Sequence, residues 1–162
     1  MQMEREALRA EIEAFLGAHH TVSLATVDDQ GAPHAANLLY ALDGLVLYWM
    51  SDTETRHSRH IELRPRVTAT VAPDYADFRL IRGLQIFGRA RRLAGVESLA
   101  TAGRMVSRYG FLAELASGPA ALRAAFERAG FYCLEPERIT LIDNTRGFGH
   151  KQTLELDGDS GG

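Results

Sequence analysis

Leu45-Val46-Leu47-Tyr48-Trp49-Met50 is a dense apolar run. It breaks into Ser51-Asp52-Thr53-Glu54-Thr55-Arg56-His57-Ser58-Arg59-His60, and Pro65-Arg66-Val67 then opens a β-branched run that reaches Val71. The order reads as strand, hydroxyl-rich loop, short helix with basic residues in its first turn, and strand. The helix is short because Pro65 disfavours helical geometry at Arg64. A helix start offers unpaired backbone N–H groups and a positive dipole end. With Ser51, Thr55, Arg56 and His57 beside it, such a start suits a phosphate dianion. The same residues also describe a capped surface helix with solvated arginines. The specific part is the placement between two barrel-type strands.

Upstream, Leu8, Ile12, Phe15 and Leu16 recur at helical spacing, so residues 4–17 form a helix with one buried stripe, ending near Gly17. From Thr21 the period changes to two, with Val22, Leu24 and Thr26 alternating with Ser23, Ala25 and Val27. Asp28–Pro33 is a turn by composition, His34–Leu42 reads as the next strand, and Asp43-Gly44 is a hairpin signal answered by Leu45–Met50. Downstream, Leu80–Leu93 is a strand pattern holding Gly83 and Gly88, which marks a bulge, a bend or a close approach. Val96–Tyr109 and Pro119–Ala129 read as helices, Phe131–Leu134 and Ile139–Ile142 as strands, and Thr153–Leu156 as a further strand. Hairpins dominate and strands do not alternate regularly with helices. The expected fold is therefore mainly β with flanking helices (α+β), an antiparallel barrel in one domain over residues 1–156, with 157–162 as a mobile tail.

With 162 residues, 46% hydrophobic and 24% charged, the chain has the composition of an ordinary globular protein. A formal net charge of −3 argues against a nucleic-acid binder. Arg89, Arg91 and Arg92 divide between two faces of a strand and are expected to pair with acids. No apolar run reaches membrane-spanning length, the N-terminus is unlike a signal peptide, and Cys133 has no partner for a disulfide. A cytoplasmic location is the expectation, with Cys133 a small core hydrophobe.

Six histidines raise a metal site, and His57 and His60 share a helix face, but no acid or cysteine stands at ligand spacing. Gly83–Gly88 has the spacing of a P-loop, yet Arg89-Ala90 replaces the required Lys-Ser/Thr and the segment is a strand. Gly147-Phe148-Gly149 lacks the third glycine of a dinucleotide fingerprint.

Taken in order, Thr21–Thr26, Gly31-Ala32-Pro33, Leu45–Ser51, Thr55-Arg56-His57, Pro65-Arg66-Val67, Gly88–Leu93 and Asp143–Lys151 resemble the pyridoxamine 5′-phosphate oxidase-like, FMN-binding split-barrel family. The resemblance covers roughly residues 10–151, and the Asp143–Lys151 ending is similar to a small bacterial branch of that family. It implies a split barrel, a homodimer with FMN at the subunit interface, and oxidoreductase chemistry on a small molecule. Thr55-Arg56-His57 resembles the Ser-Arg-Lys triplet that holds the FMN phosphate, and Ser51 resembles the hydroxyl residue ending the preceding strand. Ala35, Ala36 and Asn37 lie on the segment resembling the strand that runs along the flavin ring. Arg82, Gly83 and Gln85 lie on the one that reaches the flavin across the dimer.

The departures are specific. His57 replaces the lysine, so phosphate binding is expected to weaken above the histidine's pKa. Ala35 stands where the oxidase has arginine, and Arg146 and His150 do not match the spacing that grips pyridoxamine phosphate, which argues against that substrate. Similar split barrels also handle haem, for which His34, His57 or His150 are candidate axial ligands. A cofactor-free dimeric binding scaffold is the third reading.

Overall fold

The computed structural model describes residues 1–156; the tail expected over 157–162 lies outside them. Helix α1 (Gln2–Ala18) buries Leu8, Ile12, Phe15 and Leu16, as its periodicity requires. Strands β1 (Thr21–Val27), β2 (Pro33–Leu39), β3 (Ala41–Asp43) and β4 (Val46–Asp52) follow, then α2 (Arg56–Leu63), β5 (Arg66–Val71) and β6 (Arg82–Arg92). Helices α3 (Gly95–Arg108), α4 (Phe111–Ala116) and α5 (Ala120–Arg128) precede β7 (Ala129–Asp143) and β8 (Lys151–Glu155).

The strands form one antiparallel sheet in the order β2-β1-β5-β6-β7-β4-β3, with β8 added to β7. The two terminal strands of that order, β2 and β3, are separated in the chain by Tyr40 alone. A sheet whose far edges are covalent neighbours has to curl on itself, and the result is the split barrel. Tyr40 is fully buried at this corner. Its hydroxyl donates to Leu16 O at 2.7 Å, its N–H donates to His20 O at 3.1 Å, and Tyr109 donates its hydroxyl to Tyr40 O at 2.5 Å. The single strand expected over His34–Leu42 is thus two, because Tyr40 turns the chain from β1 to β4. Gly44, at φ +58°, makes the following hairpin turn.

Barrel curvature is concentrated at β6 and β7. Gly88 pairs with Pro136 and Phe87 with Arg138, so Glu137 is an extra residue at a bulge. A Cβ on Gly88 would stand 2.2 Å from Glu135 O and 2.9 Å from Pro136 Cα. The sequence suggests two strands around Pro136; the structure has one of fifteen residues, because Pro136 sits where the ladder is already interrupted. The core holds Trp49 and Tyr132, whose rings stack with centroids 6.0 Å apart, with Leu24, Leu47, Leu84, Ile86, Leu134 and Ile139 around them. Helix α4 is absent from the sequence reading. It is a six-residue segment between Gly110 and Ser117-Gly118-Pro119, and it buries Leu112 beside Met105, Tyr109 and Ala41.

Arg89 pairs with Glu137, Arg91 with Glu135 and Glu97, and Arg92 with Glu62, as expected for arginines split between two faces. Cys133 is buried, its thiol pushed up to about 12, chiefly by that burial, in keeping with a core hydrophobe. No helix among the described residues is long and apolar enough to cross a membrane.

Gly88→Ala is expected to lower the unfolding free energy by about 2 kcal/mol in urea denaturation, because backbone rather than a flexible side chain blocks the new methyl group. A loss below about 0.5 kcal/mol would show that the bulge is not set by this close approach.

Candidate functional site

Strand β4 ends at Ser51-Asp52, and the chain turns at once into α2. Asp52 O accepts from Thr55 N at 3.2 Å and from Ser58 Oγ at 2.9 Å. Thr55 is the N-cap, its side chain accepting from Ser58 N at 3.4 Å. Thr55 Oγ1 also lies 2.9 Å from Asp52 O and 2.8 Å from Ser58 Oγ, and its one proton serves one of them at a time. Into this knot of hydroxyls comes His57, only 6% exposed, with Nε2 at 2.6 Å from Ser51 Oγ and 3.2 Å from Thr55 Oγ1.

Two more histidines approach the same place. The His34 ring on β2 lies parallel to His57 with centroids 6.3 Å apart, and edge-on to His60 at 5.8 Å. His60 Nδ1 is 2.9 Å from the hydroxyl of buried Thr26 on β1. Burial, and then the nearby His34 and His60, hold the pKa of His57 below its ordinary value. His34, Arg56, Arg59 and His60 line an open cleft of about 310 Å³ with Asp28, Ala32 and Pro33. Arg59 is paired with Glu54. Arg56 is exposed at the cleft and makes no ion pair among the described residues.

Ser51, Thr55, Arg56 and His57 are therefore brought together. Their neighbour β2 is a sheet edge, so along Ala35, Ala36 and Asn37 one side of the backbone has no strand partner. Ala36 faces the same way as His34, whereas Ala35 and Asn37 lie exposed on the outer face, where Ser23 donates to Asn37 Oδ1 at 2.6 Å. Gln85 is exposed on that outer face too, in the cross-strand row Asn37–Ser23–Thr70–Gln85–Thr140–Thr153. Three strand spacings, about 14 Å, separate it from Asn37 within one chain. Gly83 is buried, and a Cβ there would stand 3.2 Å from both Ala72 Cβ and Val71 O. Arg82 is committed elsewhere: it donates to Glu11 at 3.2 Å and to Asp143 at 3.1 Å, above the Phe15 ring. His150 closes the turn between β7 and β8, its carbonyl accepting from Asp143 N.

Sequence spacing alone does not give His60's tie to Thr26 or His34's contact with His57. The pairing of Thr26 with His34 across β1 and β2 creates both, and the only trace in the sequence is the helical spacing of His57 and His60. Among the described residues no group of three or more His, Cys, Asp or Glu is arranged to hold a metal ion. The imidazoles of His57 and His60 turn to hydroxyls instead.

A family model described as pyridoxamine 5′-phosphate oxidase matches residues 8–143. The chain belongs to the pyridoxamine 5′-phosphate oxidase-like split-barrel family. A UPF0306 protein of Klebsiella pneumoniae is 32% identical over 143 residues, covering 88% of this chain and 89% of the relative. A haem-binding protein from Mycobacterium smegmatis superposes with a TM-score of 0.71 at 18% identity, covering 91% of this chain and 57% of that one. The haem storage protein HutZ from Vibrio cholerae does so with a TM-score of 0.64 at 22% identity, covering 79% and 89%. At those identities the structural likeness establishes the fold alone. Proteins of the family often bind flavin and are commonly dimeric.

His57's depressed pKa has a sign that can be measured. Between the folded value and the ordinary one near 6.5, the unfolded chain holds more protons than the folded chain. The stability this group contributes is complete above the ordinary pKa and is lost as pH falls toward the folded value. In urea unfolding from about pH 7 down to about pH 5.5, wild type is expected to lose stability more steeply than His57→Gln. Parallel slopes would show that His57 is not held neutral by its surroundings.

Proposed function

We propose that this protein is a homodimeric FMN-binding flavoprotein, an oxidoreductase acting on a small oxidisable molecule other than pyridoxamine phosphate. The observation that carries the reading is the start of α2. There Ser51, Thr55 and His57 converge, Arg56 stands at an adjoining cleft without an acid partner, and the helix's first N–H groups add a positive end. This donor set fits a phosphomonoester, since hydroxyls, an imidazole and a guanidinium all donate to phosphate oxygens. Arg56, Thr55, Ser51 and His57 would hold the phosphate, and the open backbone edge at 35–37 suits the polar rim of a flavin ring. FMN, when bound, supplies the electron-transfer chemistry, while the protein supplies placement and electrostatics.

The dimer is proposed through the outer sheet face. That face is rich in threonine and holds a shallow depression of about 740 Å³ lined by Thr68, Thr70, Gln85, Phe87, Arg138 and Thr140, among others. Phe87 lies between the Arg66 and Arg138 guanidinium groups, 5.7 and 5.4 Å from its ring centre. Gln85 and Gly83, on the strand that resembles the family's cross-dimer contact, sit on this side of β6. Arg82 points to the opposite side and is proposed only as a support for that strand's end.

Haem is the second reading, and one observation favours it. Unlike His57 and His60, His34 carries no side-chain hydrogen bond among the described residues, so its imidazole in the cleft is available as an axial ligand. The visible spectrum of freshly purified protein separates the readings: flavin bands, a Soret band that disappears in His34→Ala, or no colour and no response to added FMN, as for a cofactor-free scaffold. With FMN, Arg56→Ala is expected to weaken binding by about 2 kcal/mol, the worth of a charge-assisted contact. Equal flavin content and equal affinity in wild type and variant would remove Arg56 from the site.

A further inference from the structure

His34 from β2 and His57 and His60 from α2 pack ring against ring beside Arg56. None of the three histidines forms an ion pair with a carboxylate among the described residues. The charged groups facing them can be named element by element. From the β1–β2 turn comes Asp28, whose carboxylate accepts from Gln30 N at 2.9 Å and Ala32 N at 2.8 Å and keeps its negative charge at the cleft, on the His60 side. Arg64, at the end of α2, donates to Asp29 O at 2.7 Å. On α2 itself, Arg56 is free and Arg59 is neutralised by Glu54; the Glu62–Arg92 pair ties the helix to β6. From β4 and its loop come the Ser51 hydroxyl and exposed Asp52. His57 itself has no carboxylate partner among the described residues, and protonating it in the free protein works against burial and against repulsion from His34 and His60.

We propose that a phosphomonoester dianion supplies the counter-charge His57 lacks, so that its binding is coupled to proton uptake at His57, with His34 and His60, whose rings face it, acting as dianion-selecting neighbours. This rests on the phosphate-site reading above. In the free protein His57 is spent on Ser51 and Thr55. A dianion arriving at the start of α2 competes for those same hydroxyls and stabilises imidazolium at 57. A lysine at position 57 would carry its charge beforehand; histidine makes the charge conditional on the ligand. Loading is thus strong near neutral pH and weakens as pH rises through the raised pKa of His57 in the complex.

The test is calorimetric titration of the full chain with FMN from about pH 7 to about pH 8.5. In that window the ligand phosphate, with its second pKa near 6, is already a dianion and contributes few protons itself. Comparing two buffers of different ionisation enthalpy gives the number of protons bound. Wild type is expected to take up protons, with affinity falling by up to about tenfold per pH unit for each proton coupled. His57→Lys should bind FMN with a nearly flat profile, and the His34→Gln/His60→Gln pair should show a slope shallower than wild type. If circular dichroism shows His57→Lys to be unfolded, His57→Gln takes its place, with the same flat profile expected. A purely structural role for His34 and His60 would change affinity equally at every pH and leave the slope intact, which would overturn their part. FMN binding without proton uptake in wild type would overturn the whole inference while sparing the flavin reading. Absence of FMN binding at every pH would refute the phosphate reading itself.

Discussion

One residue joins the two ends of the sheet. Because Leu39 closes β2 and Ala41 opens β3, Tyr40 forces the β1 side of the sheet against the β4 side. Its hydroxyl, N–H and carbonyl are all satisfied by α1, the α1–β1 connection and Tyr109, so the corner buries a large aromatic whose own polar groups are all paired. The Arg108 guanidinium covers the ring at 5.3 Å. Curling follows from this seam, and the bulge at Gly88 and Glu137 lets the longest strands bend to match it.

The candidate site is a product of the same closure. Ser51 belongs to β4, next to the β3 end of the strand order, and His34 to β2 at the other end. Only in a curled sheet does α2, which leaves β4, come to rest across β1 and β2 and carry His57 to Ser51 while setting His60 on Thr26. The hydroxyl knot caps the helix and also concentrates donors at its start, so what stabilises α2 is what would bind an anion. Burial of His57 among hydroxyls and other histidines, with no carboxylate paired to it, is unfavourable for charge in the free protein. That is the arrangement expected where a ligand, and not the fold, supplies the missing negative charge.

Much of the architecture is legible in the residues. The Leu8–Leu16 stripe, the β1 alternation, the Asp43-Gly44 hairpin and the glycine at the β6 bulge are local signals, and each forms where its pattern places it. Three features are not local and were not legible. The break at Tyr40 lies inside a continuous strand pattern and depends on contacts with Leu16, His20 and Tyr109. The continuity of β7 through Pro136 depends on its partner strand. Helix α4 is too short for a period and is held by packing of Leu112. In the site, Ser51, Thr55, Arg56 and His57 are near neighbours in sequence and could be read together. The contribution of His34 comes from strand pairing 23 positions before His57, and the commitment of Arg82 to Glu11 and Asp143 comes from a helix and a strand end far away in the chain.

Membership in the pyridoxamine 5′-phosphate oxidase-like family fixes the scaffold, and the ligand's phosphate is proposed to sit at the start of α2. The most direct measurement is the ratio of affinities for FMN and for riboflavin, which differ only in the phosphate. If Arg56 and the hydroxyl knot grip that group, FMN binds about a hundredfold more tightly or better, as two or more charge-assisted hydrogen bonds would give. Equal affinity for the two flavins would contradict a phosphate site at residues 51–57.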